Sequence, residues 1–260
     1  MARTPFMAGN WKMNCTIVEA KALVNGQLTE LNAVTDVDLV LCPPFTALAT
    51  VAEMLKGTSI KAGAQSMHFQ DRGAFTGEIS APMIKELADY VIVGHSERRI
   101  HFNDKDYQIG LKMAAALKAG LTPILCVGEN PDQKENEWTE SVLAQQVLTA
   151  LRDLNPSANI VVAYEPVWAI GTGAPAQPEE ANDACRFIRE QLASRLGDDA
   201  AARTRVLYGG SVTARNVADF VGQSDIDGCL VGTAALRADE WVQVVKNGVE
   251  TARSKASAQA

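Results

Sequence analysis

The sequence predicts an α/β fold, a (β/α)8 barrel of eight parallel strands ringed by helices, and three observations carry that expectation. Short, β-rich apolar runs alternate with longer amphipathic stretches from end to end, the pattern of repeated βα units feeding a parallel sheet. There are eight such pairs, whereas an open doubly wound sheet usually stops at about six strands. The 260 residues fit the ~250 of a typical closed barrel. No Pro/Ser-rich linker divides them, so one domain over residues 1–260 is expected.

The elements follow in order. A strand over Phe6–Trp11 leads to a helix over Ile17–Leu31, and a strand over Val37–Cys42 to a helix over Thr46–Leu55. The third and fourth pairs are Ile60–Ala64 with Pro82–Leu87 and Tyr90–Gly94 with Asp104–Ala119. Thr122–Val127 pairs with Glu137–Leu151, and Ile160–Glu165 with Glu179–Leu196. The last strands, Arg205–Tyr208 and Gly228–Val231, precede Val217–Phe220 and Asp239–Ala252. Pro82 and Pro178 fall near helix starts, where a missing N–H costs nothing. From Ser254 onward the residues are small and polar, and a frayed tail is expected.

Composition narrows the function. With 47% hydrophobic and only 6% aromatic residues, the chain has material for a large aliphatic core. A net charge of −7 argues against nucleic acid, which needs a basic face. A small anion is still a suitable substrate, because a lysine and a few backbone N–H groups can make one pocket positive. Cys15, Cys42, Cys126, Cys185 and Cys229 are scattered and odd in number, which favours a reducing, cytoplasmic compartment. Residues 1–13 lack the apolar core of a signal peptide, and no run approaches the ~20 apolar residues of a membrane span.

In a parallel barrel the C-terminal strand ends converge on one rim, where active sites of this architecture sit. That rule sorts the polar residues. Asn10 and Lys12 follow the first strand, on the same side of an extended segment. His95 and Glu97 follow the fourth, with His95 placed to begin a short helical turn. Glu165 ends the sixth as a carboxylate on an otherwise buried run, a suitable general base. The segment Pro166–Ala176, with Val167, Trp168 and Ile170 between Pro and Gly stretches that include Gly171, Thr172 and Gly173, has the composition of a hinged lid. Tyr208-Gly209-Gly210-Ser211 and Val231-Gly232-Thr233 place small residues where barrels bind phosphate through bare N–H groups. Taken singly, each has an ordinary explanation: a solvated lysine, a salt-bridged glutamate, a structural histidine, a packed loop, a plain turn. His68 and His101 have no ligand-like spacing with His95, so no metal is expected.

Four segments together go further. Asn10-Trp11-Lys12-Met13-Asn14, Gly94-His95-Ser96-Glu97-Arg98-Arg99, Ala163–Gly173 (AYEPVWAIGTG) and Tyr208-Gly209-Gly210-Ser211-Val212 closely resemble the triosephosphate isomerase family, in matching order and spacing from end to end. The resemblance implies a TIM barrel and an aldose–ketose isomerase that interconverts dihydroxyacetone phosphate and D-glyceraldehyde 3-phosphate without a cofactor. It implies Glu165 as base, His95 as electrophile and proton shuttle, and Lys12 as the positive charge facing the enediolate; Asn10 would orient substrate oxygens and Glu97 would support Lys12 and His95. The family is itself a standing example of the tuned base, the neutral histidine and the closing loop. By the same resemblance, N–H groups of Gly171, Ser211, Gly232 and Thr233 hold the phosphate, and the lid runs from Pro166 through Ala176.

Gly73–Ser80 resembles the family's dimer loop, which implies a homodimer with Cys15, Phe75 and Thr76 at the interface. An apolar Phe75 on a Gly-flanked loop suits that role, since docked it becomes an anchor. Thr233 stands where the family more often has Gly, and Ser66 also departs from the common pattern. Two rivals define the test: another phosphate-binding barrel enzyme, or a catalytically silent barrel used as a scaffold. The first should lack the Lys12, His95 and Glu165 set, and the second should have lost at least one of its members.

Overall fold

The structure is a computed structural model and describes residues 3–170 and 175–258. Its strands are β1 (Phe6–Asn10), β2 (Asp38–Cys42), β3 (Lys61–Ala64), β4 (Tyr90–Val93), β5 (Thr122–Val127), β6 (Val161–Tyr164), β7 (Arg205–Tyr208) and β8 (Gly228–Val231). All pair in parallel with their sequence neighbours, and β8 returns to β1 through Phe6↔Gly228 to Gly9↔Val231, closing the barrel. The expected architecture is therefore present. The helices are α1 (Ile17–Asn32), α2 (Phe45–Met54), α3 (Ala81–Lys85), α4 (Ser96–His101), α5 (Asp106–Lys118), α6 (Pro131–Glu135), α7 (Thr139–Ala150), α8 (Pro178–Leu196), α9 (Asp198–Arg203), α10 (Val217–Val221) and α11 (Ala238–Ala258).

Strand periodicity divides the core into two layers. Phe6, Ala8, Val40, Cys42, Ile92, Ile124, Cys126, Val161, Ala163, Leu207 and Leu230 fill the barrel interior. The alternate residues, such as Met7, Leu39, Leu41, Val91, Val93 and Val162, pack outward against helices. The inward phase runs to the end of β1 and past the ends of β6, β7 and β8. It carries Phe6 and Ala8 on to Asn10, Val161 and Ala163 on to Glu165, Leu207 on to Gly209, and Leu230 on to Gly232. Four strands thus deliver two polar groups and two glycines to the same rim.

The differences from expectation lie at element ends. β1 stops before Trp11 and β6 before Glu165, although each still donates its N–H to the neighbouring strand, Trp11 to the Cys42 carbonyl at 3.0 Å and Glu165 to the Val127 carbonyl at 2.7 Å. The helices α6 and α9 fall in stretches read as connections. α6 starts on an Asn130 cap whose side chain accepts from Gln133 N–H, with Pro131 at its first turn; α9 starts from Gly197 at φ 88°. At the other end, α11 continues to Ala258, past the frayed tail expected from Ser254. It is held there by Lys255 Nζ donating to the carbonyls of Gln223 and Ile226, each at 2.8 Å. Among the described residues, no helix is long and apolar enough to cross a membrane.

Candidate active site

At the C-terminal rim, Asn10, Lys12, His95, Glu165, Ser211, Gly232 and Thr233 line one cavity of about 320 Å³, together with Ile170, Gly209, Gly210 and Leu230. The structure therefore brings together most of the residues singled out in the sequence, across the five βα connections that follow β1, β4, β6, β7 and β8.

Lys12 is held by its backbone as much as by its side chain. Its φ of 52° lies in the left-handed region, unusual outside glycine. The conformation is pinned on both sides: Lys12 N–H donates to Asn10 Oδ1 at 3.0 Å, and its carbonyl accepts from Gln65 Nε2 at 2.8 Å. Gln65 also donates to the Cys42 carbonyl at 2.9 Å, tying the loop to the end of β2. Lys12 Nζ reaches Glu97 Oε1 at 2.6 Å. Burial works to raise the pKa of Glu97, but the hydrogen bond from Lys12 and nearby positive charge outweigh it, and the carboxyl sits below its ordinary value.

His95 follows Gly94, whose φ of 76° makes the turn from β4 into α4. The ring caps that helix, with Nδ1 accepting from Glu97 N–H at 3.3 Å. A nitrogen that accepts carries no proton, so the neutral ring holds its proton on Nε2. Nε2 lies 3.1 Å from Glu165 Oε1. The other oxygen, Oε2, accepts from Ser96 N–H at 3.0 Å. Glu165 is only 3% exposed, and both carboxylate oxygens have partners on the β4–α4 segment. Below it lies Cys126, whose thiol is pushed well above its ordinary value, first by burial and then by the charge of Glu165.

Small residues give this carboxylate its space. A Cβ on Gly209 would stand 2.9 Å from Glu165 Cγ, and a Cβ on Gly128 would collide with the Glu165 carbonyl. A Cβ on Gly232 would come within 3.2 Å of Lys12 Cε. Thr233 does not need a glycine's backbone freedom, since it is absent from the positive-φ positions and opens a short 3-10 turn over Thr233–Leu236.

The segment after Glu165 is anchored at both described ends. Val167–Ala169 forms a 3-10 turn. Trp168 Nε1 donates to Glu129 Oε1 at 2.7 Å, and Tyr164 OH donates to the same oxygen at 3.0 Å. On the same side Ser211 Oγ donates to the Ala169 carbonyl at 3.3 Å, and on the far side Ala176 N–H donates to Tyr208 OH at 3.2 Å. The expected lid residues Gly171, Thr172 and Gly173 lie outside the described residues. Cys15, half-buried at φ 75°, and the exposed Phe75 and Thr76 are outside the cavity. Gln65, Ser96 and Glu129 were not anticipated from the sequence. Gln65 and Ser96 act on catalytic candidates 53 and 69 residues away, and no local pattern records such a contact.

Chemically, the cavity sets a carboxylate against a histidine ring, with a lysine and Gly-rich turns among the residues that line it. That suits moving a proton next to a carbonyl in an anionic substrate. Comparison with known proteins gives the same direction. The sequence matches the family described as Triosephosphate isomerase over residues 5–248. It is 48% identical over 244 residues to a triosephosphate isomerase of Dehalococcoides mccartyi, covering 94% of this chain and 96% of that one. It is 50% identical over 246 residues to that of Roseiflexus castenholzii, covering 94% and 97%, and 46% identical over 250 residues to that of Carboxydothermus hydrogenoformans, covering 95% and 100%. With the family matched over nearly the whole length and its cavity formed by these residues, the chain belongs to the triosephosphate isomerase family.

Proposed function

We propose that this chain interconverts dihydroxyacetone phosphate and D-glyceraldehyde 3-phosphate by proton transfer through an enediolate, a step of glycolysis and gluconeogenesis. The observation that carries the reading is the buried Glu165 carboxylate, 3.1 Å from His95 Nε2, in a cavity that also holds Lys12.

A proton next to a carbonyl is too weakly acidic for a carboxylate alone. It becomes removable when the developing oxyanion is stabilised as it forms. Glu165 is the base that carries the proton between C1 and C2. To do so it exchanges its contacts with His95 and Ser96 for the substrate. His95 donates through Nε2–H to the substrate oxygens, an assignment supported by Nδ1 accepting from Glu97 N–H. Lys12 offsets the charge of the enediolate and of the phosphate, with Glu97 and Asn10 fixing its position. The phosphate lies against N–H groups of Ser211, Gly232 and Thr233, and of Gly171 from the lid. Closure of the lid over it excludes water and protects the enediolate from losing phosphate.

The same reading makes the working form a cytoplasmic homodimer. Exposed apolar side chains support the dimer: Met13 is 95% exposed beside Lys12, and Val18 and Phe75 are also uncovered. Five free cysteines fit a reducing compartment.

The first test is turnover of glyceraldehyde 3-phosphate in buffer with chelator, with coupled detection of dihydroxyacetone phosphate and a Glu165→Gln control. Fast wild-type turnover with an inactive control is expected. A folded wild-type protein without activity would instead favour the scaffold reading.

A further inference from the structure

The ladder between β5 and β6 ends at Val127↔Tyr164, and the chain beyond it must find other partners for its backbone. Gly128 finds them in one side chain. Gln146, on α7, accepts from Gly128 N–H at 2.8 Å through Oε1 and donates to the Gly128 carbonyl at 3.2 Å through Nε2. A primary amide thus takes the place that a neighbouring strand occupies further down the barrel. Gln146 lies beside the stripe of Leu143, Val147 and Ala150 that packs α7 on the barrel. Nothing about a glutamine there serves packing better than an apolar residue would.

What the amide holds is the floor under the base. Glu165 N–H donates to the Val127 carbonyl at 2.7 Å. Gly128 lies so close to the Glu165 carbonyl that no side chain fits between them. The next residue, Glu129, continues the same support: its carbonyl accepts from Val167 N–H at 3.1 Å, and its carboxylate holds Tyr164 and Trp168. The backbone from Tyr164 to Trp168, which contains Glu165 and the start of the loop after it, is therefore placed by residues 127–129. Within that stretch the two peptide units that meet at Gly128 are fixed to the helical layer by Gln146.

We infer that Gln146 is a positioning residue for the isomerisation, setting the height and orientation of Glu165 through the Gly128 backbone without touching substrate. The inference rests on Glu165 being the base. Two contacts, one to each of the peptide units that meet at Gly128, resist both translation and rotation of that backbone, and a displacement of about 1 Å at a reacting group can cost a hundredfold in rate. Gln146 bonds to Gly128 and lines no part of the cavity that holds Ser211, Gly232 and Thr233, so its loss should affect the chemical step more than substrate binding.

The test compares Gln146→Leu and Gln146→Glu with the wild type. For Gln146→Leu, kcat is expected to fall by about tenfold or more while KM stays within about twofold. In Gln146→Glu the introduced carboxylate still accepts from Gly128 N–H but repels the Gly128 carbonyl. Once protonated it regains a donor. The ratio of variant to wild-type kcat should therefore rise as pH is lowered from about 8 to about 5.5, a response that a packing role for Gln146 would not produce. If Gln146→Leu folds and keeps wild-type kcat, the inference is wrong. If Gln146→Leu does not fold, a pH-independent ratio for Gln146→Glu overturns it and a rising ratio supports it. A wild-type protein without isomerase activity would overturn the functional reading, and this inference with it.

Discussion

Gly209 leaves the space that Glu165 occupies: its N–H donates to the Tyr164 carbonyl at 2.7 Å, and an added methyl group would lie 2.9 Å from Glu165 Cγ. Gly209 is absent from the positive-φ glycines, so alanine meets no left-handed strain there and its tightest contact is with Glu165. Gly209→Ala is expected to lower kcat by about ten- to a hundredfold with little change in melting temperature. Steady-state kinetics beside a thermal melt checks this. Unchanged kcat would mean that Glu165 has more freedom than the packing shows.

Shortening the base tests its reach directly. Glu165→Asp retracts the carboxylate by about 1 Å while keeping its charge, and a hundredfold or larger loss of turnover is expected with analogue binding retained. Titration calorimetry with a non-reacting phosphorylated analogue separates the two quantities. Near-normal turnover excludes Glu165 as the base.

Stability should respond to acid through Asp104. Its carboxylate, 10% exposed, accepts from Lys112 Nζ at 2.6 Å and Arg98 Nε at 3.0 Å. Burial acts to raise its pKa, but these two hydrogen bonds and charges outweigh it, and the net shift is downward. A folded pKa below the unfolded one stabilises the protein above the ordinary carboxylate range, and that contribution is lost as pH falls through the folded value. Asp104→Asn leaves Lys112 buried without its counter-charge and is expected to cost about 3 kcal/mol at neutral pH. In urea unfolding, the gap to wild type should narrow as pH falls below the ordinary carboxylate range. A constant gap would assign the loss to packing.

Much of this was legible in the sequence because two periodicities carry it. The runs Thr122–Val127, Arg205–Tyr208 and Gly228–Val231 coincide with β5, β7 and β8. The place of Glu165 at the end of the sixth apolar run already put it at the rim. What escaped has no period. α6 and α9 are each about a turn and a half long, too short for an apolar stripe, although the Asn130-Pro131 start of α6 is a cap that can be read locally. The end of α11 was read from composition as loose, yet Lys255 fastens it to carbonyls about thirty residues earlier. Gln65 and Gln146 act on peptides of distant segments, and in sequence a glutamine beside an apolar stripe looks like any partly solvated position. Side chains that bond to backbone across the fold become visible only once the fold has been built.

The last prediction concerns the proposed dimer. Phe75 sits on a loop whose Gly73, at φ 147°, lies so close that a Cβ there would come 2.8 Å from the ring. That ring also packs on His68 with centroids 4.2 Å apart. The loop is thus shaped around its own phenylalanine, and yet 44% of Phe75 stays exposed. A side chain so placed is better explained by docking than by folding of the single chain. Phe75→Asp would introduce a charge that cannot be buried without a partner, and the variant is expected to sediment as a monomer at micromolar concentration. The segment carrying Lys12 also carries the exposed Met13, so loss of the second subunit should loosen the Lys12 conformation held by Gln65. KM should then rise and kcat fall together, by about tenfold or more. Sedimentation velocity with kinetics on the same samples decides the matter, and a Phe75→Asp variant that remains dimeric and fully active would remove this loop from the interface.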